Sequence, residues 1–316
     1  MLLGFLVLTA VAAINVRDLF AVVMLFGIYS FLTAGLFMNL DAVDVAFTEA
    51  AVGAGISTVL LLATLHLTHR HEQPRKRNPV IPLLVVGITG AALLYGTLDA
   101  PRLGDPDAPV QQHVAPRYLE QGPVEVGVPN IVTAVLASYR GYDTLGETVV
   151  IFTAGLAVLL LLGMTEGPRT RPGRSAIGDQ IVLRTVVKML IPFILLYGLY
   201  VQFHGEYGAG GGFQAGVIFA AGFILYHLVF GEDNAQRVVP SRWLGRLAGA
   251  GVLLYGGVGL FSLLKGKAFL DYSALSHDPV HGQHLGILLV EFGVGLTVFS
   301  VVLTIFYAFS GRRRPS

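Results

Sequence analysis

Cysteine is absent from this 316-residue chain, which excludes disulfides, thiolate metal sites and thiol catalysis and leaves the compartment open. Charge is scarce as well. Only 13% of the residues are charged, against roughly 25% in ordinary soluble domains. With 21 Lys and Arg against 20 Asp and Glu, the net charge is +1 and no basic surface points to nucleic acid. No Ser/His/Asp arrangement and no haem-attachment motif is visible. The glycine run Gly208-Ala-Gly-Gly-Gly-Phe213 lacks the last glycine of G-x-G-x-x-G, and no Gly-Lys-Ser/Thr follows it. These absences argue against an enzyme and against a resident cofactor.

What is present is apolar length. Hydrophobic residues make up 54% of the chain, and the mean hydropathy is +0.68. Runs near the roughly 20 residues needed to cross a bilayer fall at 1–16, 19–39, 45–67, 79–98, 144–164, 181–203, 212–231, 243–264 and 284–309. They predict an all-α integral membrane protein of about nine transmembrane helices. No Lys or Arg precedes the first run, so it reads as a helix rather than a cleaved signal, despite the small residues Ala10-Val-Ala12. Basic segments at His69–Arg77, at Arg169–Arg174, around Arg237, Arg242 and Arg246, and at Arg312–Arg314 all fall on one side with these spans. The positive-inside rule makes that side cytoplasmic, with the C-terminus inside and the N-terminus outside. Two basic linkers divide the chain into blocks 1–73, 74–166 and 167–316 with three, two and four helices. A polar, proline-bearing loop from Asp99 to about Gly127 splits the second block, and Pro129–Tyr139 predicts a short interfacial helix with Pro129 in its first turn.

Polar groups stand out in this background. Asp41 and Asp44 share a face at i,i+3, either to cap the third helix or to meet an ion near the outer boundary. Glu49 lies a turn or more deeper, ahead of the small residues Ala50-Ala-Val-Gly-Ala-Gly55, where a carboxyl can exchange a proton or replace part of a small cation's hydration shell. Arg184 and Lys188 lie on one stripe at i,i+4. Pro192 leaves the Lys188 carbonyl without its helical partner, which suggests a kink and a polar pocket; Arg184 should snorkel to the interface. Lysine suits a proton relay because burial lowers its pKa readily, and a structural ion pair is the other reading. The glycines from Gly208 to Gly216 read as a tight crossing and close-packing face, with His204 and Gln214 free for polar work. Glu291, two turns into the last helix, needs a partner. His227 reads as a packing residue, and His66, His69 and His71 as a charged collar rather than a metal site.

These residues carry a family resemblance. Leu183-Arg-Thr, Leu190-Ile-Pro192, His204-Gly, Gly210-Gly-Gly-Phe-Gln214 and Glu291-Phe-Gly-Val-Gly-Leu296 resemble the B-type component of the Mrp-type multisubunit sodium/proton antiporters, the MnhB domain. Ala209 stands where that family usually has proline. Asp41–Gly53 and Asn130–Glu147 resemble the two small regions at the C-terminal end of the large A-type component, MbhD-like and MbhE-like. The resemblance implies one component of a prokaryotic cytoplasmic-membrane complex that exchanges sodium for protons, with A-, C-, D-, E-, F- and G-like subunits as partners. It implies that Asp44 and Glu49 handle the cation or proton and bind Na+ at most transiently, followed by Asp143 and Glu147. Lys188, His204 and Glu291 would form a second polar network. Related modules serve membrane-bound hydrogenase and sulfane-sulfur reductase complexes, and a purely structural scaffold is a third reading.

Overall fold

A computed structural model describes residues 1–73, 80–162 and 180–311. The basic residues Arg75–Arg77, Arg169–Arg174 and Arg312–Arg314 lie outside the described residues. Everything regular among the described residues is helical, as backbone in hydrocarbon must satisfy its own polar groups. In chain order the helices are α1 (Leu2–Asn15), α2 (Leu19–Asn39), α3 (Val43–Leu67), α4 (Val80–Gly96), α5 (Ala115–Glu125), α6 (131–139), α7 (Gly141–Leu162), α8 (Ile181–His204), α9 (Gly212–Phe230), α10 (Glu232–Val238), α11 (Ser241–Leu264) and α12 (Pro279–Ser310). Among the described residues seven are long and apolar enough to cross a membrane: α2, α3, α7, α8, α9, α11 and α12. The apolar helices α1 and α4 occupy two further predicted spans but are shorter.

The core is built by α9 and α12, with α11, α8 and α7 around them. Small residues set the crossings, because glycine lets helix backbones approach where lipid provides no hydrophobic drive between helices. A Cβ on Gly216 would come within 2.6 Å of the Gly295 carbonyl oxygen, and one on Gly293 within 2.8 Å of that of Gly251. Gly155 of α7 lies against Val301. The glycine run is therefore a close-packing face, as its sequence suggested. The Gly245 and Gly249 face of α11 meets nothing within 4 Å, and α4 has no buried residue. His227 packs edge-on to Phe306 with ring centroids 5.0 Å apart.

Two contacts hold α2 to α3 and the residues just after it. Gly27 lets α2 approach Thr58 of α3, and Arg70 grips the Asp18 carboxylate at 2.8 Å beside the start of α2. The Arg70 guanidinium, with help from the Phe20 amide, holds the Asp18 carboxyl below its ordinary range. Midway along α3 the winding widens to π-helix over Ala50–Ser57, directly after Glu49. Such widened turns often mark functional sites.

The segment after the polar loop differs from expectation. Asn130, not Pro129, starts α6: its side chain accepts the Val132 amide proton at 3.0 Å, leaving Pro129 ahead of the cap. The segment is also packed into the protein. Thr133, Ala134 and Ala137 are buried, and the buried Tyr272 hydroxyl donates to the Ala137 carbonyl at 2.7 Å. Burial pushes the Tyr272 phenol upward, and at the rim of the same segment burial and the Glu125 carboxylate push Tyr139 up to about 12.

Candidate functional site

The loop Gly205–Gly211, joining α8 to α9, is where side chains from α3, from the start of α6 and from α12 meet. Glycine is required here for two reasons. Gly211 adopts φ +121, and a Cβ at that position would strike the Glu291 carboxylate. Around this backbone Asn130 donates through Nδ2 to the carbonyls of Gly205 (3.0 Å) and Gly208 (2.9 Å). The Asn130 amide donates to the Glu206 carbonyl at 3.0 Å, and Thr133 Oγ1 donates to the Gly205 carbonyl at 2.6 Å. From α3, Asp44 accepts the Gly210 amide at 3.2 Å and lies a long 3.4 Å from Asn130 Nδ2. Thr48, one turn on, accepts from Gln214 Nε2 at 2.9 Å.

Glu291 finds its partner in the same backbone: its Oε2 accepts the Gly212 amide at 2.7 Å. Two residues apart, Gly210 and Gly212 thus offer amides to carboxylates from two different helices. Glu206 of the loop pairs with His284 of α12, Oε2 to Nδ1 at 2.9 Å. Among the described residues no lysine or arginine pairs with Asp44, Glu206 or Glu291. Three carboxyl groups gathered without a fixed cation favour protons or mobile cations as their countercharge.

Of the other predicted residues, only His204 borders this loop. Glu49 is half-buried a turn and more below Asp44, its carboxylate resting over Gly53 beside the hydroxyl of buried Ser30. Neither aspartate caps α3: Ala42 occupies the cap, Asp41 takes a left-handed φ of 60, and Asp44 sits in the first turn. His204 stacks on Tyr200 at 4.8 Å between centroids, its imidazole edge against Gly208. Asp143 and Glu147 are exposed on α7, with Asp143 tied to Arg140 Nε at 2.7 Å. The pocket predicted at Pro192 is not realised. α8 runs unbroken through that residue, and Lys188 is exposed with its ammonium 5.9 Å from the Phe230 ring, beside Arg184 on the same ring. Sixteen residues of helix, about 24 Å at 1.5 Å per residue, separate Lys188 from His204, so it joins no network with Glu291. The residues that complete the joint, Asn130, Thr133, Glu206 and His284, carried weaker signals. Asn130 follows a proline, and Glu206 lies just ahead of the glycine run.

A multi-pass membrane protein with an internal joint of carboxylates and loop amides is the class these observations define. The family described as "Domain related to MnhB subunit of Na+/H+ antiporter" matches residues 182–304, while those described as the D and E components of MBH match 4–70 and 74–181. The chain is 37% identical over 136 residues to the antiporter protein mnhB2 of Staphylococcus haemolyticus, covering 42% of this chain and 96% of that one. It therefore belongs to the MnhB family. It is 27% identical to the A/B component of a K+/H+ antiporter of Rhizobium meliloti, over 90% of this chain and 31% of that one, so it spans about a third of that relative's length. The structure of the Mrp complex from Dietzia sp. DQ12-45-1b contains a chain with TM-score 0.74 and 27% identity, matched over 98% of this chain and 34% of that one. A chain of the archaeal membrane-bound sulfane sulfur reductase gives TM-score 0.51 and 28% identity over 72% of this chain and 97% of that one.

Proposed function

We propose that the chain is a membrane subunit of a multisubunit cation/proton antiporter in a prokaryotic cytoplasmic membrane, exchanging Na+ for H+ together with A-, C-, D-, E-, F- and G-like subunits. The observation that carries this reading is the joint itself. Asp44 from the first block, Asn130 from the second and Glu291 from the third converge on the Gly205–Gly212 backbone, and among the described residues no lysine or arginine pairs with Asp44, Glu206 or Glu291. In this reading the blocks 1–73, 74–166 and 167–316 act as one unit. Asp44 and Glu49 serve the cation or proton route from one side of the joint, and Glu291 serves it from the other. Asp143, Glu147, Lys188 and the open Gly245–Gly249 face point outward and meet partner subunits or lipid.

The test is proton flux in vesicles holding the full complex, with and without this chain. Sodium-dependent flux is expected only when the chain is present, and none from the chain alone. Robust cation-coupled transport by the isolated chain overturns the proposal. The similarity to the sulfane sulfur reductase favours a second reading, the same module in a redox-driven complex. Co-purification of hydrogenase-type metal-binding subunits, in place of antiporter subunits alone, would select it.

Orientation has its own expected outcome. Cysteines at Gly104 and Gly311, introduced into a chain that has none, should react with impermeant reagents from opposite faces, Gly104 from outside. Reaction of both from one face refutes the proposed topology.

A further inference from the structure

Between α8 and α12, on the side of the membrane that carries residues 99–143, lies a cavity of about 310 Å³. Its lining includes Gln202, Glu206, His281, His284, Leu285 and Glu291. We propose that this cavity is a water-filled proton antechamber, in which His284 and Glu206 exchange protons between the aqueous phase on that side and Glu291. The inference rests on the antiporter reading above and assigns that reading's proton an access route.

Three observations support it. First, the groups form a series along the cavity. His281 is exposed at the rim, the His284 side chain is 32% exposed, Glu206 is 20% exposed, and the half-buried Glu291 lies about two turns further along α12. Second, His284 is held for transfer. Nδ1 faces the Glu206 carboxylate at 2.9 Å, while Nε2 lies against Gly127, whose φ of +82 and missing Cβ leave it room. Imidazole is the side chain that exchanges protons between about pH 5 and 8 without special tuning. Third, Gln202 is only 8% exposed, yet its Nε2 has no hydrogen-bond partner in the protein. A buried donor beside a cavity of this size requires an acceptor, and water supplies one.

The step balances without a co-reactant. Neutral His284 takes a proton from bulk water on one ring nitrogen and releases the proton on the other to the Glu206 carboxylate. Glu206 passes it through cavity water to the Glu291 carboxylate, and His284 and Glu206 return to their starting charge. The other titratable groups around Glu291 are Asp44 from α3, Tyr255 from α11 and Tyr272 from the loop before α12. None of these groups is a fixed cation, so a proton arriving at Glu291 neutralises one of the local negative charges.

The experiment uses the full complex in vesicles. His284→Gln and Glu206→Gln should assemble as judged by co-purification, yet lose about a hundredfold or more in antiport rate, the scale of a lost proton-transfer group. Their optimum should move to lower pH, and imidazole added on the antechamber side should restore part of the rate in His284→Ala. Assembled variants with the wild-type rate and pH profile overturn the proposal, as does a loss that neither shifts the profile nor responds to imidazole. Leu285→Cys should react with a small cationic methanethiosulfonate from the side that labels Gly104→Cys; absence of reaction there also overturns it. If the wild-type complex carries no cation-coupled flux, the antiporter reading falls, and this labelling decides the antechamber alone.

Discussion

Glu49→Gln is expected to remove antiport almost completely, by about two orders of magnitude or more, while the complex still assembles. The carboxyl is half-buried about two turns into the apolar α3, rests over Gly53 beside the buried Ser30 hydroxyl, and has no lysine or arginine partner among the described residues. The amide keeps the shape and much of the hydrogen bonding but can neither give up a proton nor neutralise a cation. Glu49→Asp withdraws the carboxyl by one methylene and should leave partial activity with altered cation dependence. Arg184→Gln, on the exposed stripe over Phe230, should be mild by comparison. Flux from vesicles with matched amounts of assembled complex is the measurement. Wild-type transport by assembled Glu49→Gln would make the residue structural and move the ion route elsewhere.

Gly212→Ala should have the largest effect on stability. A Cβ there would be driven onto the Glu291 carbonyl oxygen and within 3.0 Å of the Gly295 amide nitrogen. Both obstacles are helix backbone, which cannot rotate aside as a side chain would. Overpacking of this kind costs about 1–3 kcal/mol even where side chains can adjust. Forcing α9 from α12 also lengthens the bond from the Gly212 amide to Glu291, so activity should fall with stability. Gly256→Ala is the matched control, since nothing lies within 4 Å of its Cβ position. In a helix interior that change is worth up to about 1 kcal/mol in favour of alanine. Thermal unfolding of the purified complex should separate the two variants, and equal stability of both would remove the proposed role of the Gly212 crossing.

The membrane helices were legible because apolar length alone specifies them. The run at 19–39 matches α2, and that at 181–203 ends one residue short of α8. Polar helix ends were harder. The last helix begins at Pro279 rather than 284 because Asp278 accepts the Val280 amide at 3.0 Å, and hydropathy cannot register a cap followed by two histidines. The joint was legible only in parts. Asp44, Glu291 and the glycines were visible as polar or permissive residues in an apolar background. Nothing local could indicate that Asn130 reaches Gly205, 75 residues away in the chain. Lys188 failed for the opposite reason. A charge within an apolar run implies burial only if its stripe faces the bundle, and this stripe faces outward beside Phe230.

The three-way junction also bears on how such a chain can be divided. The Staphylococcus haemolyticus relative aligns over 96% of its own length with only 42% of this chain, so the MnhB region occurs elsewhere as a separate polypeptide. Where it does, any counterpart of the junction between Asp44, Asn130 and the glycine loop has to form between molecules and depends on their abundance. Here the three contributors are tethered, and tethering replaces free concentration with an effective one, on the order of millimolar for short linkers. The fused chain thereby fixes a one-to-one-to-one ratio of its parts and makes closure of the junction independent of expression level.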